Sequence, residues 1–135
     1  MKSLFLILLF LSISNLTFGL TVTTTQNLNF GTLVQGDSAK TIRPSKADTN
    51  NARFDIVGEP NRSFMVILPS EVELFSASTP SQTLKVGSFK SRPNISGSLN
   101  RKGKKELRVG AKLQKIPNGQ ASGSYFGYFI VDVIY

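Results

Sequence analysis

Residues 71–75 read EVELF and place Glu71 and Glu73 at i and i+2. In an extended chain two such carboxyl groups share a face roughly 7 Å apart. Paired carboxylates about 5 to 9 Å apart can cleave glycosidic bonds. Val72 and Leu74 take the opposite face, however, and that alternation marks an ordinary half-buried strand whose acids face solvent. No other constellation is stronger. The chain contains no His and no Cys, which closes the usual acid–base and thiol routes and rules out metal–thiolate chemistry. VGEPNR (57–62) lacks the glycines that a phosphate-binding loop needs. The expectation is a protein that is not an enzyme, with no catalytic residue, no cofactor and no metal.

Charge is the remaining chemistry. The formal net charge is +8, and between Lys85 and Lys115 ten Lys or Arg stand against the single acid Glu106. In KKELRVGAKL (104–113) Leu107, Val109, Ala111 and Leu113 alternate with Glu106, Arg108 and Lys112, so the pleat turns the cations outward. Lys104 shares their parity. Lys104, Arg108 and Lys112 therefore form a candidate polyanion face, for a partner such as a surface polysaccharide or lipid headgroups. A merely solvated face accounts for the same charges. Nucleic acid is not expected, since exposed aromatic residues interleaved with the cations are missing.

The elements that must carry these residues are strands. Residues 1–19, MKSLFLILLFLSISNLTFG, run from a charged start through an apolar stretch to small and polar residues, the order of a secretory signal peptide. The domain is then 20–135, one unit long enough to bury a core. With no cysteine, its stability must come from packing and strand pairing. NARFDIVG (51–58) alternates Ala52, Phe54 and Ile56 with Arg53 and Asp55, and SFMVILP (63–69) puts Phe64, Val66 and Leu68 on one face. Turn chemistry falls between the runs, at QGDS (35–38), GEPN (58–61), RKGKK (101–105) and PNGQASG (117–123). Strands so punctuated predict an all-β antiparallel sandwich or barrel. Phe30, Phe54, Phe64, Leu68, Leu107, Val109, Phe129 and Val131 are the predicted core.

Both ends of the domain are unusual. LTVTTTQNLNF (20–30) alternates weakly, with Leu20, Val22, Leu28 and Phe30 on one parity. GSYFGYFIVDVIY (123–135) is apolar on both parities, broken only by Asp132. A strand apolar on both faces belongs at the centre of a sheet or under another protein.

LNFGTLVQG (28–36), FDIVGEPNRSFMVILP (54–69), and LRVGAKL (107–113) followed by GSYFGYFIVDVIY together resemble DUF4402, a family of secreted bacterial domains. That group is distantly similar to the spore-coat-U and archaic chaperone–usher pilin domains. The resemblance implies a single immunoglobulin-like (pilin-like) sandwich that lacks a strand, with the N-terminal extension of the next subunit filling the gap. It also implies that the C-terminal strand pairs with a periplasmic chaperone. That strand usually has a near-terminal aromatic and a glycine twelve residues earlier, the separation of Gly123 and Tyr135. Two features depart from the pattern: there is no disulfide, and Tyr135 is last where the usual aromatic is penultimate.

On this resemblance the pairing strand comprises Gly123, Tyr125, Phe129, Val131, Val133 and Tyr135. Residues 20–30 would be a donor strand, with Leu20, Val22 and Thr24 entering a groove beside the C-terminal strand of a neighbouring copy. The expected function is a structural subunit of a bacterial surface fibre, partnered by copies of itself or related subunits, a periplasmic chaperone and an usher. Its route is export, passage through the periplasm and display at the cell surface. The alternative is a self-contained secreted sandwich that binds glycan or another envelope component through its basic face. Mass spectrometry of the protein from its native envelope should find a chain starting near Leu20, and an intact Met1 species in the membrane would contradict this.

Overall fold

The computed structural model describes residues 19–135, so the expected signal peptide, 1–19, lies outside the described residues except for Gly19. Ten strands follow: β1 (Thr21–Gln26), β2 (Lys40–Ile42), β3 (Ala52–Val57), β4 (Ser63–Ile67), β5 (Glu71–Ser76), β6 (Thr83–Arg92), β7 (Ser96–Ser98), β8 (Lys104–Leu113), β9 (Tyr125–Phe126) and β10 (Asp132–Ile134). The large sheet runs β1-β3-β8-β6-β5-β9, with β2 also on β8, and the small sheet runs β10-β4-β7. Every pairing is antiparallel. The result is an all-β sandwich.

Alternation sets the strand phases. In β3 the residues Ala52, Phe54 and Ile56 are buried while Asp55 and Val57 are exposed. In β4 the same holds for Phe64 and Val66 against Met65 and Ile67. β8 buries Leu107, Val109, Ala111 and Leu113. β6 was not legible as a strand in the sequence. Leu84 and Val86 point inward before an irregularity between Gly87 and Lys90, and Ser91 is buried after it. The inward parity thus changes from even to odd within ten residues, and no single period survives.

Two buried clusters result. Phe54, Ile56, Phe64, Val66, Leu99, Leu107 and Val109 fill the space between the sheets. Leu33, Leu84, Val86, Ala111, Leu113 and Ile116 form a second cluster, covered on the side away from the large sheet by chain without regular strands. Three strands cannot cover seven. This explains why only Phe54, Phe64, Leu107 and Val109 of the predicted core are buried, whereas Phe30, Leu68, Phe129 and Val131 are half-buried.

The C-terminal run does not form the central strand that its composition suggests. It divides into β9, at the edge of the large sheet beside β5, and β10, at the edge of the small sheet beside β4. Residues 127–131 between them belong to no ladder. The expected donor strand also has a partner inside its own chain: β1 pairs with β3, from Thr21 opposite Val57 to Gln26 opposite Arg53. In this single chain it does not lie in a groove beside the C-terminal strand.

One internal tether holds the long excursion between β2 and β3. Asn51, fully buried, donates through Nδ2 to the carbonyls of Arg43 (2.9 Å) and Ser45 (2.8 Å). The chain leaving β2 passes so close over Gly110 that a Cβ there would overlap the Ile42 carbonyl. Phe54→Ala should destabilise the domain by about 3 to 5 kcal/mol, as for a buried aromatic, and Phe129→Ala by less because Phe129 is half-buried. Denaturant unfolding measures both, and unchanged midpoints would show the strand phases to be wrong.

Candidate pairing groove and basic face

Between the sheets the small layer leaves an opening. A cavity of about 550 Å³ lies between residues 24–31 on one side and 125–129 on the other. Its wall includes Ala52, Phe54, Val72, Leu74, Val86 and Phe89 from the large sheet, and Leu28, Phe30 and Phe129 from the flanking segments. No charged side chain lines it. Phe129 packs edge-on against Phe54 (6.4 Å between centroids) and tilted against Phe89 (5.1 Å), closing one end. The backbone of 127–131 beside it has no ladder partner. Such unpaired amides and carbonyls are a template for an added strand.

The odd positions of the C-terminal segment face the interior. Gly123 forms an isolated bridge with Leu33, their backbones exchanging hydrogen bonds of 2.8 and 3.0 Å. Tyr125 donates its hydroxyl to the Ala121 carbonyl at 2.6 Å and packs on the second cluster. Phe129, Val131 and Val133 pack on the first. The even positions face outward although they are apolar: Phe126 is 65 % exposed, Tyr128 94 % and Ile130 73 %. Residues 125–129 of both parities border the groove, and Phe126 and Tyr128 remain largely exposed there.

Tyr135 is docked. Its hydroxyl accepts a 2.8 Å hydrogen bond from the Glu59 amide, and the Arg62 guanidinium lies 4.0 Å from its ring centroid. Arg62 is itself paired with Glu59 at 2.7 Å. Gly58 makes room, because a Cβ there would run into the Tyr135 hydroxyl and the side chains of Leu20 and Leu99. The end of the chain is thereby fastened to the β3–β4 turn.

β1 is held differently. Its burial pattern is exposed at Thr21–Thr25 and intermediate only at Gln26. Val22 and Thr24 stand opposite the inward-facing Ile56 and Phe54, yet Val22 stays 36 % exposed because the small sheet does not reach it. Leu20 packs part-buried on the first cluster. A backbone ladder, Leu20 and the polar side chains at its far end, Thr25 and Gln26, secure this strand, while residues 21–24 bury little.

Lys104, Arg108 and Lys112 all lie on β8, but they do not form one strip. Glu106 stands between the first two and pairs with Arg108 at 2.8 Å. Gly110, over which the chain after β2 crosses, stands between Arg108 and Lys112. Arg108 has different neighbours, Arg53 of β3 on one side and Arg92 of β6 on the other. Sequence reasoning left out Asn51, Arg53 and Arg92 as site residues. The outward parity of Arg53 was visible in NARFDIVG, but nothing local announced Asn51. Glu71 and Glu73 are exposed, with Glu71 near Lys85 at 3.7 Å. Among the described residues there is no cluster of acids fit to hold a metal, and no helix long and apolar enough to cross a membrane.

Fold and groove together define a cysteine-free β-sandwich with an incomplete second layer and an open strand edge. The chain belongs to DUF4402, a domain of unknown function, whose family profile matches residues 20–135. No curated protein and no solved structure matches it.

The docking of Tyr135 makes a graded prediction. Tyr135→Phe, which keeps the ring under Arg62, should cost about 0.5 to 1.5 kcal/mol, the net worth of one hydrogen bond. Tyr135→Ala should cost more. Equal midpoints for all three proteins in urea would show that the contact contributes nothing.

Proposed function

We propose that this protein is a non-enzymatic, pilin-like structural subunit of a bacterial surface fibre, in which the N-terminal strand of one copy fills the groove of the next. The observation that carries the proposal is the mainly apolar cavity of about 550 Å³ lying beside residues 127–131, which belong to no ladder among the described residues. A strand added there would satisfy main-chain groups along one side and place alternate side chains into the cavity. Leu20 and Val22 share the parity needed, whereas Leu28 and Phe30 already line the groove of their own copy. Each Å² of apolar surface so covered contributes about 25 cal/mol before the cost of ordering the strand.

The weak side-chain burial of β1 supports its release from β3. Exchange of this kind is head-to-tail and does not close on itself, so it produces filaments and not dimers. The proposed route runs through an export signal, a periplasmic chaperone that covers the C-terminal strand, and an usher. Under this proposal the uncovered side of residues 126–130 is a surface that partners bury.

A second reading has its own observation. The β1–β3 ladder within one chain suits a self-contained domain. One experiment separates the two. Deleting residues 20–25, while keeping Gln26 with its amide on the Thr49 and Asn51 carbonyls (2.7 Å each), should abolish long polymers. Adding the peptide LTVTTTQNLNF should then raise the unfolding midpoint of the truncated subunit. A stable monomer from residues 20–135 that ignores the peptide would make β1 the domain's own first strand and end the fibre proposal.

A further inference from the structure

The outer face of the large sheet carries an arrangement that folding alone does not favour. Arg53, Arg108 and Arg92 lie directly opposite one another on the adjacent strands β3, β8 and β6. Strands are about 4.8 Å apart, and like charges directly opposite are destabilising. The neighbouring row repeats the pattern with opposite sign, Asp55 opposite Glu106. Among the described residues, only Arg108 of the three arginines makes an ion pair. The charges are thus sorted into rows, where an alternating pattern would have let them pair.

Two of the three guanidinium groups are held in place from behind. The Arg108 side chain is only 13 % exposed and donates to Glu106 (2.8 Å) and to Oδ1 of the buried Asn51 (3.3 Å). Arg53 donates to Gln26 Oε1, while its Nε is buried without a partner among the described residues. Arg92 is exposed and Lys90, also outward, pairs with Gly110 beside the row. A planar, always-charged group with a fixed fork is suited to bidentate recognition of an oxyanion.

We propose that the Arg53–Arg108–Arg92 row is a binding site for an acidic polysaccharide lying across the strands, its carboxylate or sulfate groups meeting successive arginines. The surroundings select this class of partner. The outward neighbours in these rows are Thr23, Gln26, Asp55 and Glu106, and the one apolar side chain of the next row, Val57, is small for entering a lipid surface. No aromatic side chain stands in the row for bases to stack on, as single-stranded nucleic acid would want. A linear chain of regularly spaced anions needs neither. This site lies on the opposite face of the sheet from the groove, and Gln26, which accepts from Arg53 and also lines the groove, is a side chain that the two readings share.

The test is binding of the exported full chain to polygalacturonate, dextran sulfate and neutral dextran by biolayer interferometry at physiological salt, with polymer state matched beforehand. Both acidic polymers, or one of them, should bind while neutral dextran does not, and the pair shows whether carboxylate or sulfate is preferred. Arg53→Gln, Arg92→Ser and Arg108→Gln together should weaken binding more than tenfold. Arg92→Ser with Lys90→Ser removes two exposed cations without touching a buried hydrogen bond, and should weaken it several-fold with an unchanged unfolding midpoint. Removing three cations from the β7–β8 turn and its edge, at Arg101, Lys102 and Lys104, should change it less than twofold. The proposal is overturned if neither acidic polymer binds, or if the turn variant loses as much as the row variants. Equally tight binding to phosphatidylglycerol vesicles would also overturn it.

Discussion

Leu107 and Val109 belong to one buried cluster, Ala111 and Leu113 to the other, and all four project from the same side of β8. That ten-residue strand pairs with β3 and β2 along one edge and β6 along the other. Both cores therefore rest on a single unbroken alternation. A charge or a proline at any of these four positions would disturb both the ladder and a core. In the absence of cysteine, no covalent link shares this role, and the two clusters have to hold the sheet in register.

β8 also sets the limit of the second layer. Its inner row is longer than three short strands can cover, so β4, β7 and β10 pack over the first cluster only. Loops supply the rest, and the cavity lies where these two coverings meet. The exposed apolar residues of 126–130 are the other side of the same mismatch, because the chain there spans from one sheet to the other without joining either. Natural sheets usually protect their edges. Here Asp132 and the docked Tyr135 are the polar features near the open edge, and neither covers residues 127–131.

The two faces of the large sheet thus present different chemistry from the same strands. Its inner face is apolar and incompletely covered, while its outer face carries the arginine row beside the acidic pair Asp55 and Glu106. Period-two alternation makes this possible: moving one residue along β3, from Phe54 to Arg53, exchanges groove chemistry for guanidinium chemistry without any change of element. Strand exchange on one face and polyanion recognition on the other would meet at Gln26, which lines the groove and accepts from Arg53.

The phases of β3, β4 and β8 were legible in the sequence because a pleat depends only on neighbouring residues, and each of these strands keeps one parity throughout. The lack of His and Cys closed the commonest catalytic routes in the same way, by inventory alone. β6 was hidden because its irregularity reverses the parity midway. The two halves of the C-terminal run were hidden for another reason: a composition apolar on both sides is the same for a central strand and for a segment crossing between two edges. Which strand lies beside Arg108 depends on pairings that join residues more than fifty positions apart on the β3 side. Local periodicity says which way a side chain points, but only the tertiary register decides what stands next to it.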